Sequence, residues 1–180
     1  KRQDESSREG LARMRTDGEE DFDVIVIGGG FAGTAAAINL ARARRKVCII
    51  DEGNPRNRFS EHMHGVLGFD GEKPTILLER GHTEFATYGG VVVQDRVEAL
   101  VRSAGGNWVA EVASGKSMTA SQVLVATGIT DSLPEVPGLR EMWGSRVFHC
   151  PYCHGYEVTG KSVGVIGGNN PAFTFKMASL

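Results

Sequence analysis

The chain has 180 residues, 41% of them hydrophobic, and a formal net charge of -2. That length suits one ordinary globular domain with part of a second, and the composition excludes disordered and collagen-like classes. With no clustered excess of Lys and Arg, and no apolar run near the roughly 20 residues that span a bilayer, neither nucleic acid nor a membrane is an expected partner.

Lys1 to Glu20 is polar, charged and without periodicity. It is expected to be a disordered segment, with Met14 as a candidate natural start. Its charges occupy the place of a secretory signal's greasy stretch, so a cytoplasmic protein is expected. Asp23 to Ile27 is a short apolar run without alternation, the pattern of a central parallel strand buried on both faces. Gly28 to Gly33 interrupts it, Thr34 to Arg44 reads as a helix, and Lys46 to Ile50 is a second buried strand ending at Asp51. Cys48 inside that strand reads as a small buried hydrophobe.

Asn54 to Gly71 has no clean period and predicts a long loop over a ligand. Pro74 to Tyr88 predicts a helix stopped by Gly89-Gly90, and Val91 to Val93 a strand. Short strands at Trp108 to Ala113 and Gln122 to Val125, broken by Gly105-Gly106 and Ser114-Gly115, suggest an antiparallel ribbon appended to the parallel sheet. Asp131 to Gly138, with Pro134 and Pro137, is a stiff connection at a domain boundary. Ser162 to Ile166 predicts a further buried strand meeting Gly167-Gly168, followed by a helix.

Three motifs carry chemistry. Gly28-Gly29-Gly30-Phe31-Ala32-Gly33 matches G-x-G-x-x-G between a strand and a helix, with Asp51 at the downstream distance of a ribose-binding acid. Gly28 permits the tight turn, Gly30 leaves room for a pyrophosphate at the helix N-terminus, and Gly33 lets helix and strand approach. This fingerprint predicts a dinucleotide but does not separate a flavin from a nicotinamide. Ala126-Thr127-Gly128, small residues ending an apolar strand, suit backbone laid against a cofactor, and equally a plain strand end.

Cys150-Pro151-Tyr152-Cys153 is the third motif. A zinc half-site would need two further ligands, and the C-x-x-C-H haem pattern belongs to exported chains, so no metal is expected. A redox-active disulfide is the leading reading. His154 beside it is either a proton shuttle or an ordinary surface histidine.

Taken together, Gly28 to Gly33, Asp51, Ala126 to Gly128, Leu133-Pro134, Pro137-Gly138 and the cysteine pair run in the order of the low-molecular-weight thioredoxin reductases, which the chain resembles over about Asp21 to Leu180. The resemblance implies an α/β flavoprotein: a Rossmann-like FAD domain over 21–130, with parallel sheet and antiparallel ribbon, then a linker and the start of a second Rossmann-like NAD(P)H domain over 131–180. It implies electron flow from NAD(P)H through FAD to the Cys150–Cys153 disulfide and on to a disulfide or dithiol substrate, a small protein or a small molecule, by a homodimer. By this resemblance Gly28, Gly30, Phe31, Ala32, Gly33, Asp51, Glu52, Asn57, Val97, Ala126, Thr127 and Gly128 would meet FAD. Cys153 would face the flavin as a charge-transfer thiolate, and Cys150 would attack the substrate.

Two departures bear on substrate and electron partner. His154 stands where thioredoxin reductases carry an acid, and C-x-x-C-H-G is similar to a branch of oxygen-dependent oxidases of small dithiols. Asn169 stands at the middle glycine of the second nucleotide motif, where a side chain would crowd a pyrophosphate. A non-catalytic nucleotide-binding module is the alternative of another class. The family's remaining nicotinamide domain and last FAD segment are not in these 180 residues, so this stretch alone is expected to hold FAD poorly or not to turn over.

Overall fold

The computed structural model describes residues 20–167 and 170–178. The segment expected to be disordered lies outside the described residues apart from Glu20, as do Gly168 and Asn169 of the second glycine motif. Strand β1 (Glu20–Ile27) feeds helix α1 (Phe31–Arg42) and strand β2 (Val47–Asp51). After a 3-10 turn at Arg56–Phe59 come α2 (Pro74–Thr87), β3 (Val91–Gln94), β4 (Val97–Arg102), β5 (Trp108–Val112) and β6 (Ser117–Val125). Three helices follow: α3 (Leu139–Met142), α4 (Pro151–His154) and α5 (Pro171–Ala178).

The six described strands form one sheet in the order β3-β2-β1-β6-β5-β4. β1 pairs in parallel with both β2 and β6, with Ile25 opposite Cys48 on one side and Val123 on the other. β5 pairs antiparallel to β6 and to β4, which is the expected ribbon. The α/β class and the parallel sheet with its ribbon therefore stand as read from the sequence. β1 and β2 are apolar at successive positions because both faces of the sheet are covered. Val24, Val26, Val47 and Ile49 pack with Ala37, Ala41 and Phe85, while Ile25, Cys48 and Ile50 pack with Ala110, Val112, Met118 and Ala120. Fully burying side chains of the size of Phe85 or Ile49 is worth about 2–3 kcal/mol each.

Two expectations about elements are revised. Strand β4 was not foreseen: Leu100 breaks the alternation that Val97, Glu98 and Ala99 begin, and the register shifts between Val97 and Ala99, so its period-2 signal is weak. Ser162 to Ile166 is not a buried strand. These residues are exposed and pair with none of the six described strands, so their backbone groups lack the neighbours that a parallel strand requires. The expected helix after them is present as α5.

The chain divides into two compact units. One gathers the chain up to Gly53 with Glu84–Thr127 and holds the sheet and α1. The other gathers Asn54–Thr83 with the chain from Gly128 onward. The loop after β2 falls in this second unit. Arg56 binds Asp131 across 75 positions, and Phe59 lies where a Cβ on Gly144 would fall.

Candidate nucleotide cradle and redox disulfide

In the sheet-bearing unit, the turn between β1 and α1 is built by close approach. A Cβ on Gly33 would fall 1.9 Å from the Gly28 carbonyl oxygen, and one on Gly28, whose φ is +101°, would fall 2.3 Å from that of Ala126. Both contacts are impossible for a side chain, so glycine lets α1, the β1 turn and the end of β6 meet. Gly30 is different: a Cβ there would meet nothing within 4 Å. It caps α1 with no side-chain partner, and the first turn holds no acid, so the positive helix end faces open space. Thr34, buried, ties the turn down by donating from its hydroxyl to the Gly29 carbonyl at 2.9 Å. This cradle fits a dinucleotide pyrophosphate.

Asp51, at the end of β2, accepts from the Gly29 amide through Oδ2 and from the Gly53 amide through Oδ1, the latter at 2.6 Å. A carboxylate has about four acceptor sites, so both oxygens retain capacity for ribose hydroxyls. Phe31 is half-buried at the start of α1, and Ala32 is exposed beside it. Ala126 donates its amide to the Ile27 carbonyl at 2.8 Å, and Thr127 and Gly128 follow exposed. Val97, half-buried, opens β4 opposite Val112, and exposed Glu52 lies 4.0 Å from the Arg96 guanidinium.

In the other unit, Asn57 sits on the 3-10 turn, where its carbonyl accepts from Ser60. Cys150 and Cys153 are bonded to one another, with Cα atoms 5.4 Å apart. The fold locally favours this closure. Cys150 caps α4, Pro151 presets its first residue, and the Cys153 amide donates to the Cys150 carbonyl at 3.3 Å. Gly155 completes the turn, since a Cβ there would lie 2.4 Å from the Pro151 carbonyl oxygen.

His154 is half-buried and stacks on Phe148. Its Nδ1 is buried without a hydrogen-bond partner. Burial holds its pKa below the ordinary value, opposed by the Glu157 carboxylate and assisted by His64. His64 in turn lies between Glu157, 3.4 Å from its Nε2, and Asp70, 3.2 Å from its Nδ1. His149, stacked on Trp143, is also held low, first by burial and then by Arg56. Phe148, His149, Glu157 and the Arg56–Asp131 pair were not among the sequence candidates. Their contacts join residues without periodic spacing, and the sequence itself shows only that His149 adjoins Cys150.

The chain matches the pyridine nucleotide-disulphide oxidoreductase family over residues 22–175. It belongs to that family. Membership, with likeness to thioredoxin reductases, implies FAD and NAD(P)H as cofactors. Thioredoxin reductase sirT of Leptosphaeria maculans is 35% identical over 149 residues, 81% of this chain and 46% of the relative. An alkyl hydroperoxide reductase component of Pseudomonas putida is 36% identical over 157 residues, 84% of this chain and 30% of the relative. An oxidoreductase from Agrobacterium tumefaciens, known from its crystal structure, is 45% identical with a TM-score of 0.72, over 77% of this chain and 47% of that one. The chain thus spans less than half the length of each of these proteins. Among its described residues no helix is long and apolar enough to cross a membrane.

Proposed function

We propose that this chain supplies the FAD cradle and the redox disulfide of an enzyme that passes electrons from NAD(P)H to a disulfide substrate. The observation that carries the reading is the closed Cys150–Cys153 bridge, in a family chain whose glycine turn leaves a helix end open at Gly30. Bound FAD would supply a two-electron carrier between the pyridine nucleotide and the bridge. Two electrons and two protons open the bridge to two thiols. The Cys150 thiolate then attacks a substrate disulfide and expels one substrate thiolate. The Cys153 thiolate attacks the resulting mixed disulfide, releasing the second substrate sulfur and restoring the bridge. His154 is half-buried and held neutral, so it accepts the proton of an attacking thiol and returns it to a leaving thiolate.

In protein carrying FAD, dithiothreitol should change the flavin spectrum as the bridge opens. Cys153→Ser should abolish that change, whereas Cys150→Ser should keep it and block turnover. Equal loss of the spectral change in both variants would overturn the assignment of roles.

A specific observation favours a second reading. A half-buried neutral imidazole immediately after Cys153 suits removal of protons from an incoming dithiol. In an oxidase the dithiol would lose two electrons and two protons, and oxygen would leave as hydrogen peroxide. Oxygen uptake with a small dithiol and without NADPH would select this reading, and rapid anaerobic bleaching of the flavin by NADPH would reject it.

A further inference from the structure

The cysteine-bearing unit holds a cleft of about 110 Å³ whose lining includes Arg56, Arg58, Phe59, Asp131, Arg140 and Trp143. Three arginines line it with one carboxylate, Asp131, the only acid among the described lining residues. Arg56 and Asp131 neutralise one another: Nε donates to Oδ2 at 2.7 Å and Nη2 to Oδ1. Arg58 donates to the backbone carbonyls of Asn54 and Pro55, at 3.4 and 3.0 Å, and lies over the Phe59 ring; neither contact cancels its charge. The cleft therefore keeps two positive charges beside aromatic surface.

Its size decides what it can take. Sites for whole drug-sized ligands run to about 300–1,000 Å³, so this cleft holds one arm of a molecule. Its position gives that arm a purpose. Trp143, which lines the cleft, stacks on His149 with ring centroids 5.8 Å apart, and His149 immediately precedes Cys150.

We infer that the cleft is a carboxylate subsite for a small disulfide or dithiol substrate, gripping the acid with Arg58 and Arg140 while the sulfur end meets Cys150. This rests on the reading of Cys150 as the thiol that exchanges with substrate. It deepens that reading by naming the substrate class: a small sulfur compound carrying a carboxylate on a short flexible arm.

Dihydrolipoate and dihydrolipoamide are matched probes, since they share the same dithiol and arm and differ in carboxylate against amide. Either can open the bridge without flavin. One probe thiolate attacks Cys150 Sγ and expels the Cys153 thiolate; the second probe thiol then attacks the mixed disulfide and expels Cys150. The probe loses two electrons and two protons and leaves as a cyclic disulfide, and the cysteines gain both.

The experiment mixes the full chain anaerobically with each probe at low salt, traps free thiols with a maleimide and reads the rate by intact mass. Dihydrolipoate should react about fivefold faster, the scale of a partly screened ion pair. High salt, Arg140→Gln and Arg58→Gln should each shrink that ratio towards one, while Arg140→Lys should retain most of it and Arg102→Gln on β4 should leave it intact. Equal rates for both probes on the unaltered chain would overturn the subsite while leaving the redox disulfide standing. A bridge that neither probe opens would instead overturn the exchange reading itself. If saturating FAD abolished the ratio without changing the dihydrolipoamide rate, the cleft would belong to the cofactor and the inference would fall.

Discussion

Phe148 lies flat on the His154 ring, with centroids 4.1 Å apart and planes inclined by 12°. The phenyl face offers no hydrogen bond to the imidazole and helps exclude the water that would solvate an imidazolium. Burial is the leading cause of the lowered His154 pKa. Phe148→Ala should therefore raise that pKa towards 6.5, the ordinary histidine value, as read from the ring proton shifts across pH. The pH profile of bridge reduction by dithiothreitol should move in the same direction, and Phe148→Leu should move both less.

The glycines of the cradle predict opposite phenotypes. Gly33→Ala would gain up to about 1 kcal/mol of helix propensity, but its methyl would strike the Gly28 carbonyl. Overpacking of that severity costs about 3 kcal/mol or more, so thermal stability should fall sharply even without cofactor. Gly30→Ala meets no atom and should cost under about 1 kcal/mol. By filling the cradle, it should nevertheless weaken FAD binding about tenfold or more, measured by flavin titration.

Arg56 and Asp131 should couple energetically. Their side chains are 34% and 23% exposed, so solvent screens the pair, but the two-point geometry favours it. A double-mutant cycle with Arg56→Ala and Asp131→Ala should return about 1 kcal/mol of coupling in urea denaturation.

Acid should destabilise the protein in two separate steps. His149 and His154 are held below 6.5 in the fold, so as pH drops through 6.5 the unfolded chain binds protons that the folded chain does not, and stability declines until the folded values are passed. Asp131 is held below 3.8, chiefly by its hydrogen bond to Arg56. Its contribution is present above 3.8 and is lost as pH falls through the folded value. His154→Gln and His149→Gln should each shrink the first step, the double variant should flatten it, and Asp131→Asn should shrink the second, in melting temperatures recorded from pH 8 to about pH 3.

What the order of residues determined by itself was local. Val24 to Ile27 and Val47 to Ile50 are apolar at every position, and only a strand covered on both faces uses such a run; hence the parallel core was legible. The glycine spacing was legible because a side chain at Gly28 or Gly33 has no room. The cysteine pair was legible because a two-residue spacer on a turn brings two sulfurs together without help from the rest of the fold. Tertiary structure decided the remainder. Ser162 to Ile166 has a strand's composition, but a strand exists only where neighbours take its amides and carbonyls, and none of the described strands does so. β4 forms despite a poor pattern because β5 lies alongside it. The environment of the disulfide was equally hidden: Arg56 meets Asp131 from 75 positions away, and Phe148 and Trp143 cover the two histidines through contacts that follow no sequence period. Local sequence shows which groups can react, whereas burial and charge around them depend on segments that only folding brings together.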